Sequence, residues 1–238
     1  MARRMFYVQE VRESAAYLRG ETAQHIRKVL RAERGQRFEI SDGEEIYLAE
    51  IADFGKDVVE FRLIETLPSV APAVRVHLMQ ALIKFDHFEW VLEKATELGV
   101  ERIVPVYALR CDKGLDQAAV KRRERWLRIV AESGQQCRRL KPPVLDEPVR
   151  LKAAIGMDSP QKLWLEEEAG APGILKTLRA GAEPLLVLCG PEGGWDPRER
   201  DDAKAAGWRA VSLGRQVLRA ETAAISALAV ISAFGEGV

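Results

Sequence analysis

The apolar positions along the chain follow two different periods, and the change between them divides it. From Arg3 to about Thr66 they come in short or alternating runs, the period of half-buried strands. Arg37 to Ser41 and Glu45 to Ala52 read as a hairpin turned on Asp42-Gly43, a dipeptide suited to a two-residue connection. Val58 to Ile64 adds another strand, and a short helix is expected over Ala23 to Leu30 with Thr22 as its cap. Residues 66–73, TLPSVAPA, carry two prolines and little apolar weight, the composition of a linker.

Beyond the linker, strands alternate with helices. Val74 to Leu82 reads as a strand; a helix follows, with Asp86 and Glu89 as a capping box, Phe88, Val91, Leu92, Ala95 and Leu98 on one face, and Gly99 as its stop. Arg102 to Tyr107 completes a βαβ unit and so calls for a parallel sheet. A basic helix is expected over Gln117 to Ser133, burying Val120, Leu127, Val130 and Ala131 and turning Lys121, Arg122, Arg125 and Arg128 toward solvent. Lys162 to Leu165 and Leu185 to Leu188 read as strands, with a short helix over Gly173 to Arg179 between them. After Leu188 the run Gly190-Pro191-Glu192-Gly193-Gly194 breaks the chain, and Asp196, Pro197 and Glu199 open a helix with a capping box. Gly207 ends that helix, Arg209 to Leu213 is a strand, Gly214 opens a second loop, and a helix from near Glu221 runs to the end. The class is therefore α/β: a small β-barrel domain over 1–68, then a parallel-sheet domain over 74–238. In open α/β sheets ligands gather where loops leave the carboxyl ends of strands, which singles out the two glycine-bearing loops.

Composition narrows the choice. With 238 residues and 47% apolar content the chain has enough material for a large core or two modest ones. Its formal charge of zero argues against a protein that coats nucleic acid indiscriminately. Yet Arg102 to Lys141 holds eleven Lys/Arg against four Asp/Glu, and a neutral chain with one basic stretch suits a polyanion met on one face. Three scattered cysteines and three scattered histidines lack metal-ligand spacing, so no metal is expected, and Cys189 reads as core filler. No apolar run spans a bilayer and MARRMFYVQE lacks the apolar core of a secretion signal, so a cytoplasmic, reducing location is expected, with no membrane partner. Neither a Gly-Lys-Ser/Thr loop nor GxGxxG spacing occurs.

GPEGG, then Ser212-Leu213-Gly214, then LRAETAA from Leu218 to Ala224, resembles the C-terminal signature of the SPOUT methyltransferases, and of the RsmE-type ribosomal RNA methyltransferases in particular. The likeness covers nearly the whole chain. His25-Ile26-Arg27-Lys28-Val29-Leu30-Arg31 resembles the group's entry motif, ahead of a hairpin like that of its PUA-like RNA-binding barrel. Ala81-Leu82-Ile83-Lys84 and Lys94 to Val100 resemble the first block of its methyltransferase domain, and Arg110 the arginine after the second strand. Trp126 and Gln135-Gln136-Cys137-Arg138-Arg139 resemble its Glu-Gln-Cys-Gly-Arg block, with Gln135 in place of an acid and Arg138 in place of a glycine. The resemblance implies a SPOUT-type sheet with a C-terminal trefoil knot, a homodimer, S-adenosylmethionine as cofactor, and methylation of N3 of one uridine in 16S rRNA of the small ribosomal subunit.

The residues can be fitted to that reaction. Leu165, Gly190, Gly194, Leu213, Gly214 and Leu218 offer backbone groups and an apolar slot for the cofactor. Arg219 is the candidate to stabilise the negative ring left when N3 loses its proton. Glu221 is the candidate acceptor of that proton, against the plainer role of an acid in a helix's first turn. Lys84, Arg110, Gln136 and Arg139 are candidates for phosphates or the base, with His25 and Arg31 contributing from the barrel. Trp195, alone among the tryptophans, lies in the glycine loop as a candidate ligand wall. Two rivals stand beside this reading. A ribose 2′-O SPOUT enzyme acting on tRNA would not account for the barrel or for the Gln136/Arg139 block. A non-enzymatic RNA-binding assembly factor would bind no S-adenosylmethionine.

Overall fold

Strand pairing in the computed structural model sorts the chain into two sheets with separate cores. Residues 4–168, 170–181 and 184–237 are described; Arg3, the expected start of the first strand, and Val238, the end of the expected last helix, lie outside them.

The first sheet takes β1 (Met5–Tyr7), β2 (Glu10–Arg12), β3 (Ala15–Arg19), β4 (Arg37–Ser41), β5 (Ile46–Phe54) and β6 (Val58–Leu67), with helix α1 (Glu21–Lys28) after β3. Its order is β1-β4-β5-β6-β3-β2, antiparallel except for β1 on β4. Two register shifts between β5 and β6 bend the sheet, and it curls round Phe6, Leu18, Ile26, Phe38, Ile51 and Phe61. Phe38 meets Phe6 at 5.6 Å and Phe61 at 6.3 Å between ring centroids, both tilted toward edge-on contact.

Two local expectations fail here. The hairpin loop is Asp42–Glu45, longer than two residues, because Asp42 Oδ1 accepts from the N–H groups of both Glu44 and Glu45 at 2.9 Å and builds a side-chain turn. Helix α1 starts at Glu21 after Gly20, which has φ 73 and takes no part in a side-chain cap, so Thr22 lies within the helix instead of capping it. Residues 134–142 group with this first unit, although the rest of the chain from Pro72 onward forms the second. Tyr7 Oη donates to the Arg139 carbonyl at 3.0 Å and Ser41 Oγ to that of Leu140 at 2.5 Å. Arg138 has φ 60, a conformation that glycine adopts freely and that costs other residues about 1 kcal/mol. Its ion pair with Glu39, at 3.5 Å, helps hold it there.

The second sheet is parallel throughout. It holds β7 (Val76–Ala81), β8 (Arg102–Tyr107), β9 (Val144–Leu145), β10 (Val149–Arg150), β11 (Gln161–Leu165), β12 (Leu185–Cys189) and β13 (Arg209–Val211). The order is β10-β8-β7-β12-β11-β13, with β9 also on β8. Helices α2 (Phe85–Glu97), α3 (Leu115–Gln136), α4 (Leu151–Ile155), α5 (Ile174–Thr177), α6 (Pro197–Ala205) and α7 (Ala220–Glu236) connect and follow the strands. β9, β10 and α4 are too short to leave a periodic signal. β12 lies between β7 and β11 and is buried at all five positions, as its unbroken apolar run requires. Helix α7 packs on α2 and β12 through Ala224, Ala227, Leu228 and Ile231, where small side chains let the helix come close.

Helix starts divide the predictions. Asp196 caps α6 through the Arg198 N–H while Glu199 Oε2 accepts from the Asp196 N–H, both at 3.1 Å: the expected capping box. At α2 there is none. Lys84 is the N-cap, and Glu89 instead accepts from Arg122 at 3.0 Å and from Arg125 at 2.8 Å, so those arginines hold a carboxylate as well as facing solvent. Helix α3 runs longer than expected and is rotated: Ala119, Trp126 and Val130 are buried, while Val120 and Leu127 are exposed. Trp126 decides the rotation, since its ring meets Phe85 and Phe88 at 5.6 and 4.6 Å and is the largest apolar surface the helix can bury. Among the described residues no helix is long and apolar enough to cross a membrane.

Candidate active site

The carboxyl ends of β11, β12 and β13 open on one cavity of about 500 Å³, of the size that takes a cofactor. Its walls are built from the ends outward. β12 stops at Gly190 because Trp195 folds back over it: a Cβ at Gly190 would lie 2.9 Å from the indole. The Trp195 Nε1–H donates to the Leu165 carbonyl at 2.9 Å and joins the loop to the end of β11, so Trp195 lines the cavity as part of a buried brace. Gly194, with φ 68, turns the loop toward α6, and a Cβ there would strike the Glu167 carboxylate.

A second brace lies behind the first. Arg200 on α6 donates to Glu166 at 2.8 and 3.1 Å and to the Trp195 carbonyl at 2.7 Å. Burial pushes the Glu166 carboxyl up, but Arg200, the Glu168 N–H and the Trp164 indole together hold it below the usual carboxylate range. The acidic run Glu166-Glu167-Glu168 thus supports the site through Glu166. Glu199 is buried and accepts from the Leu109 N–H at 2.7 Å, which brings the loop after β8 alongside the glycine loop. Arg110 donates there to the Gly193 carbonyl at 3.2 Å and faces Asp196 at 3.7 Å.

The cavity gathers Leu165, Gly190, Gly194, Leu213, Gly214 and Leu218 with Arg219, Glu221 and Lys84. Arg219 is the N-cap residue of α7, and its exposed guanidinium has no carboxylate at ion-pair distance among the described residues. Glu221, in the first turn of that helix, is 3% exposed, and its Oε2 is buried without a hydrogen-bond partner among the described residues. The other candidates lie outside the cavity. Arg110 sits beside the glycine loop; His25 and Arg31 are exposed in the first unit; Gln136 and Arg139 belong to the 134–142 segment that packs with that unit.

Sequence reading missed two residues. His87 lines the cavity with Nδ1 3.7 Å from Glu221 Oε1 and 3.4 Å from Glu192 Oε1. His87 carried no motif, and Glu192 was noticed only as part of the glycine run. The sole available signal was that a histidine stands in the first turn after Lys84. Cys189 is fully buried, with its Sγ donating to the Ala220 carbonyl at 3.3 Å, and burial pushes its thiol up to about 12, so it stays protonated and is no nucleophile. Among the described residues no cluster of His, Cys, Asp and Glu is arranged to hold a metal.

Comparison with known proteins bears on this geometry. An RNA methyltransferase domain model matches residues 70–232, and an RNA methyltransferase PUA domain model matches residues 18–64. A parallel sheet with this loop-walled cavity, joined to a PUA domain, defines the chain as an RNA methyltransferase. The ribosomal RNA small subunit methyltransferase E of Aquifex aeolicus is 30% identical over 97% of this chain and 99% of its own length. That of Bacillus subtilis is 32% identical over 94% and 92%. The chain belongs to the ribosomal RNA small subunit methyltransferase E family. Among solved structures, the family member from Neisseria gonorrhoeae bound to S-adenosyl methionine aligns with TM-score 0.89 at 27% identity over 98% of both chains. A Legionella pneumophila protein in complex with the bound cofactor SAM aligns equally well, with TM-score 0.89 at 30% identity and the same coverage.

Proposed function

We propose that this protein uses S-adenosylmethionine to methylate N3 of a uridine in 16S rRNA of the small ribosomal subunit. The observation that carries the proposal is that one cavity is lined both by the exposed Arg219, without a carboxylate at ion-pair distance among the described residues, and by the buried Glu221, whose Oε2 has no hydrogen-bond partner among them. A uracil N3 must lose a proton and bear negative charge before it accepts a methyl group. An acceptor and a cation lining one cavity suit that demand, and a ribose hydroxyl makes no comparable call for a ring-facing cation.

The residues present fit the cofactor. The cavity has the right volume, is lined by Leu165, Gly190 and Val211 to Gly214, and offers the apolar side chains of Leu213, Val217 and Leu218. Glu167 and Glu221 supply negative charge for a cationic ligand. When bound, S-adenosylmethionine supplies an electrophilic methyl carbon. Leu165, Gly190, Gly194, Leu213, Gly214 and Leu218 would hold it, and the Trp195 brace keeps their loops in position. Arg219 stabilises the anionic ring, Glu221 takes the proton, and Lys84 on the same wall attracts the RNA backbone. Arg110, Gln136 and Arg139, with His25 and Arg31 from the PUA unit, complete the RNA contacts in this reading.

Two further elements belong to it. The passage of α7 back over β12 to α2, after both loops have lined one cavity, supports a trefoil knot. Val217 is 73% exposed at the rim, and a second copy that covers it would form the homodimer. The protein then acts in the cytoplasm, where small subunits are assembled. Mass spectrometry of 16S rRNA nucleosides from cells lacking the protein, with purified protein and labelled S-adenosylmethionine added back, tests the proposal. Loss and recovery of one 3-methyluridine is expected. Loss of another methylated nucleoside overturns the N3 assignment, and no change in any overturns the enzyme.

A further inference from the structure

Three carboxylates surround one imidazole at the cavity wall. His87 Nδ1 faces Glu221 Oε1 of α7 at 3.7 Å and Glu192 Oε1 of the glycine loop at 3.4 Å, while Nε2 faces Asp86 Oδ2 of α2 at 3.8 Å. Burial falls steeply in the opposite sense: the Glu221 side chain is 4% exposed, that of His87 31%, and that of Asp86 78%. Among the described residues His87 Nδ1 and Glu221 Oε2 are both buried without a hydrogen-bond partner, a state that is costly unless a ligand or a bound state satisfies it. The other charged or titratable groups lining the cavity are Lys84, Glu166, Glu167, Cys189 and Arg219.

We infer that His87 is a proton relay that empties Glu221 to solvent. This rests on the reading of Glu221 as acceptor of the N3 proton. In the first step the N3–H bond breaks, its electron pair stays on N3, and an O–H bond forms on Glu221. A protonated Glu221 beneath a bound base has no water at hand. His87, neutral with hydrogen on Nε2, takes the proton at Nδ1 while Glu221 returns to carboxylate. The imidazolium then loses the Nε2 proton to water beside the exposed Asp86, and a shift of the ring hydrogen restores the first tautomer. One proton enters and one leaves. Glu192 Oε1 stands on the same nitrogen, 3.4 Å from Nδ1, on the glycine-loop side of the ring. The separations of 3.4 to 3.8 Å exceed a direct hydrogen bond by less than 1 Å, the looseness usual in sites without ligand, which tighten in the complex. A histidine is suited to this place because no other side chain both accepts and donates through two ends near neutral pH.

The test compares the wild-type chain, His87→Gln and His87→Gly in multiple-turnover methyl transfer to small-subunit RNA across pH 5.5 to 9. His87→Gln should fall by about 10- to 100-fold at pH 7, within the range for acid–base groups, with cofactor affinity by calorimetry changed less than about twofold. Its loss should ease as pH rises and water takes the proton directly, and added imidazole should restore rate to His87→Gly. Nitrogen NMR of the protein without ligand should show the Nε2–H tautomer at His87. Wild-type rates and pH profile in His87→Gln overturn the relay, as does a rate loss that is flat with pH and not rescued by imidazole. If the wild-type chain itself makes no 3-methyluridine, the proposed function falls instead, so the two failures are distinguishable.

Discussion

Removing the Arg200 side chain should test the support of the site most directly. Arg200 and Glu166 are 11% and 6% exposed at their side chains and joined by two hydrogen bonds, so Arg200→Ala strands a buried carboxylate. Breaking such a pair by deleting one partner costs about 3–5 kcal/mol. Glu166 keeps the N–H donors of Glu167, Glu168 and Trp164, which puts the expected loss at the low end, about 3 kcal/mol. For a chain of this length that is a fall in Tm of about 6–12 °C. The pH dependence follows from the lowered carboxyl. Because Glu166 titrates in the fold below its ordinary 4.5, the pair contributes stability that is present above that value and is lost as pH falls through the lower folded one. The gap between wild type and Arg200→Ala should therefore be full at pH 7 and shrink at an acid pH below 4.5, as the pH falls through the lowered folded value and Glu166 protonates in both. Urea unfolding at the two pH values measures it, and Glu166→Gln combined with Arg200→Ala should lose less than Arg200→Ala alone. A loss under about 1 kcal/mol, or one that does not change with pH, would refute the role given to this brace.

Other outcomes follow from the same geometry. Arg219→Ala should keep cofactor affinity within about twofold and lose about 100-fold or more in turnover, as removal of a charge-stabilising donor does; unchanged turnover would remove Arg219 from the mechanism. Gly194→Val places a β-branched residue at φ 68 against Glu167, and titration calorimetry should show cofactor binding weakened by about tenfold or more, from strain of about 1–3 kcal/mol. Cys189, with its thiol pushed up to about 12, should resist iodoacetamide at pH 8 in the folded protein and react once it is unfolded; rapid labelling of the native chain would contradict its burial.

Much of the fold was legible because its signals are local. The unbroken apolar run of β12, the alternating strands before residue 66 and the Asp196/Glu199 capping box each arise from contacts within a few residues, so the chain itself displays them. Where two local signals competed, packing chose. Glu89 had the spacing of a capping box but meets Arg122 and Arg125 instead, because α2 and α3 are neighbours in space. Val120 and Leu127 had helical spacing but yield the core to Trp126, whose partners Phe85 and Phe88 lie on another helix.

The site divides along the same line. By itself the sequence determined that two glycine-bearing loops follow strands that lie close together in sequence, and that an arginine and a glutamate stand at the start of the last helix. Only the tertiary structure decided that Gly190 is glycine to admit Trp195, that Glu166 braces the loop through Arg200, and that His87 meets Glu192 and Glu221. Those are contacts between residues far apart along the chain, and no periodicity encodes them. They exist because β12 lies between β7 and β11, which brings α2 and α7 to the same cavity.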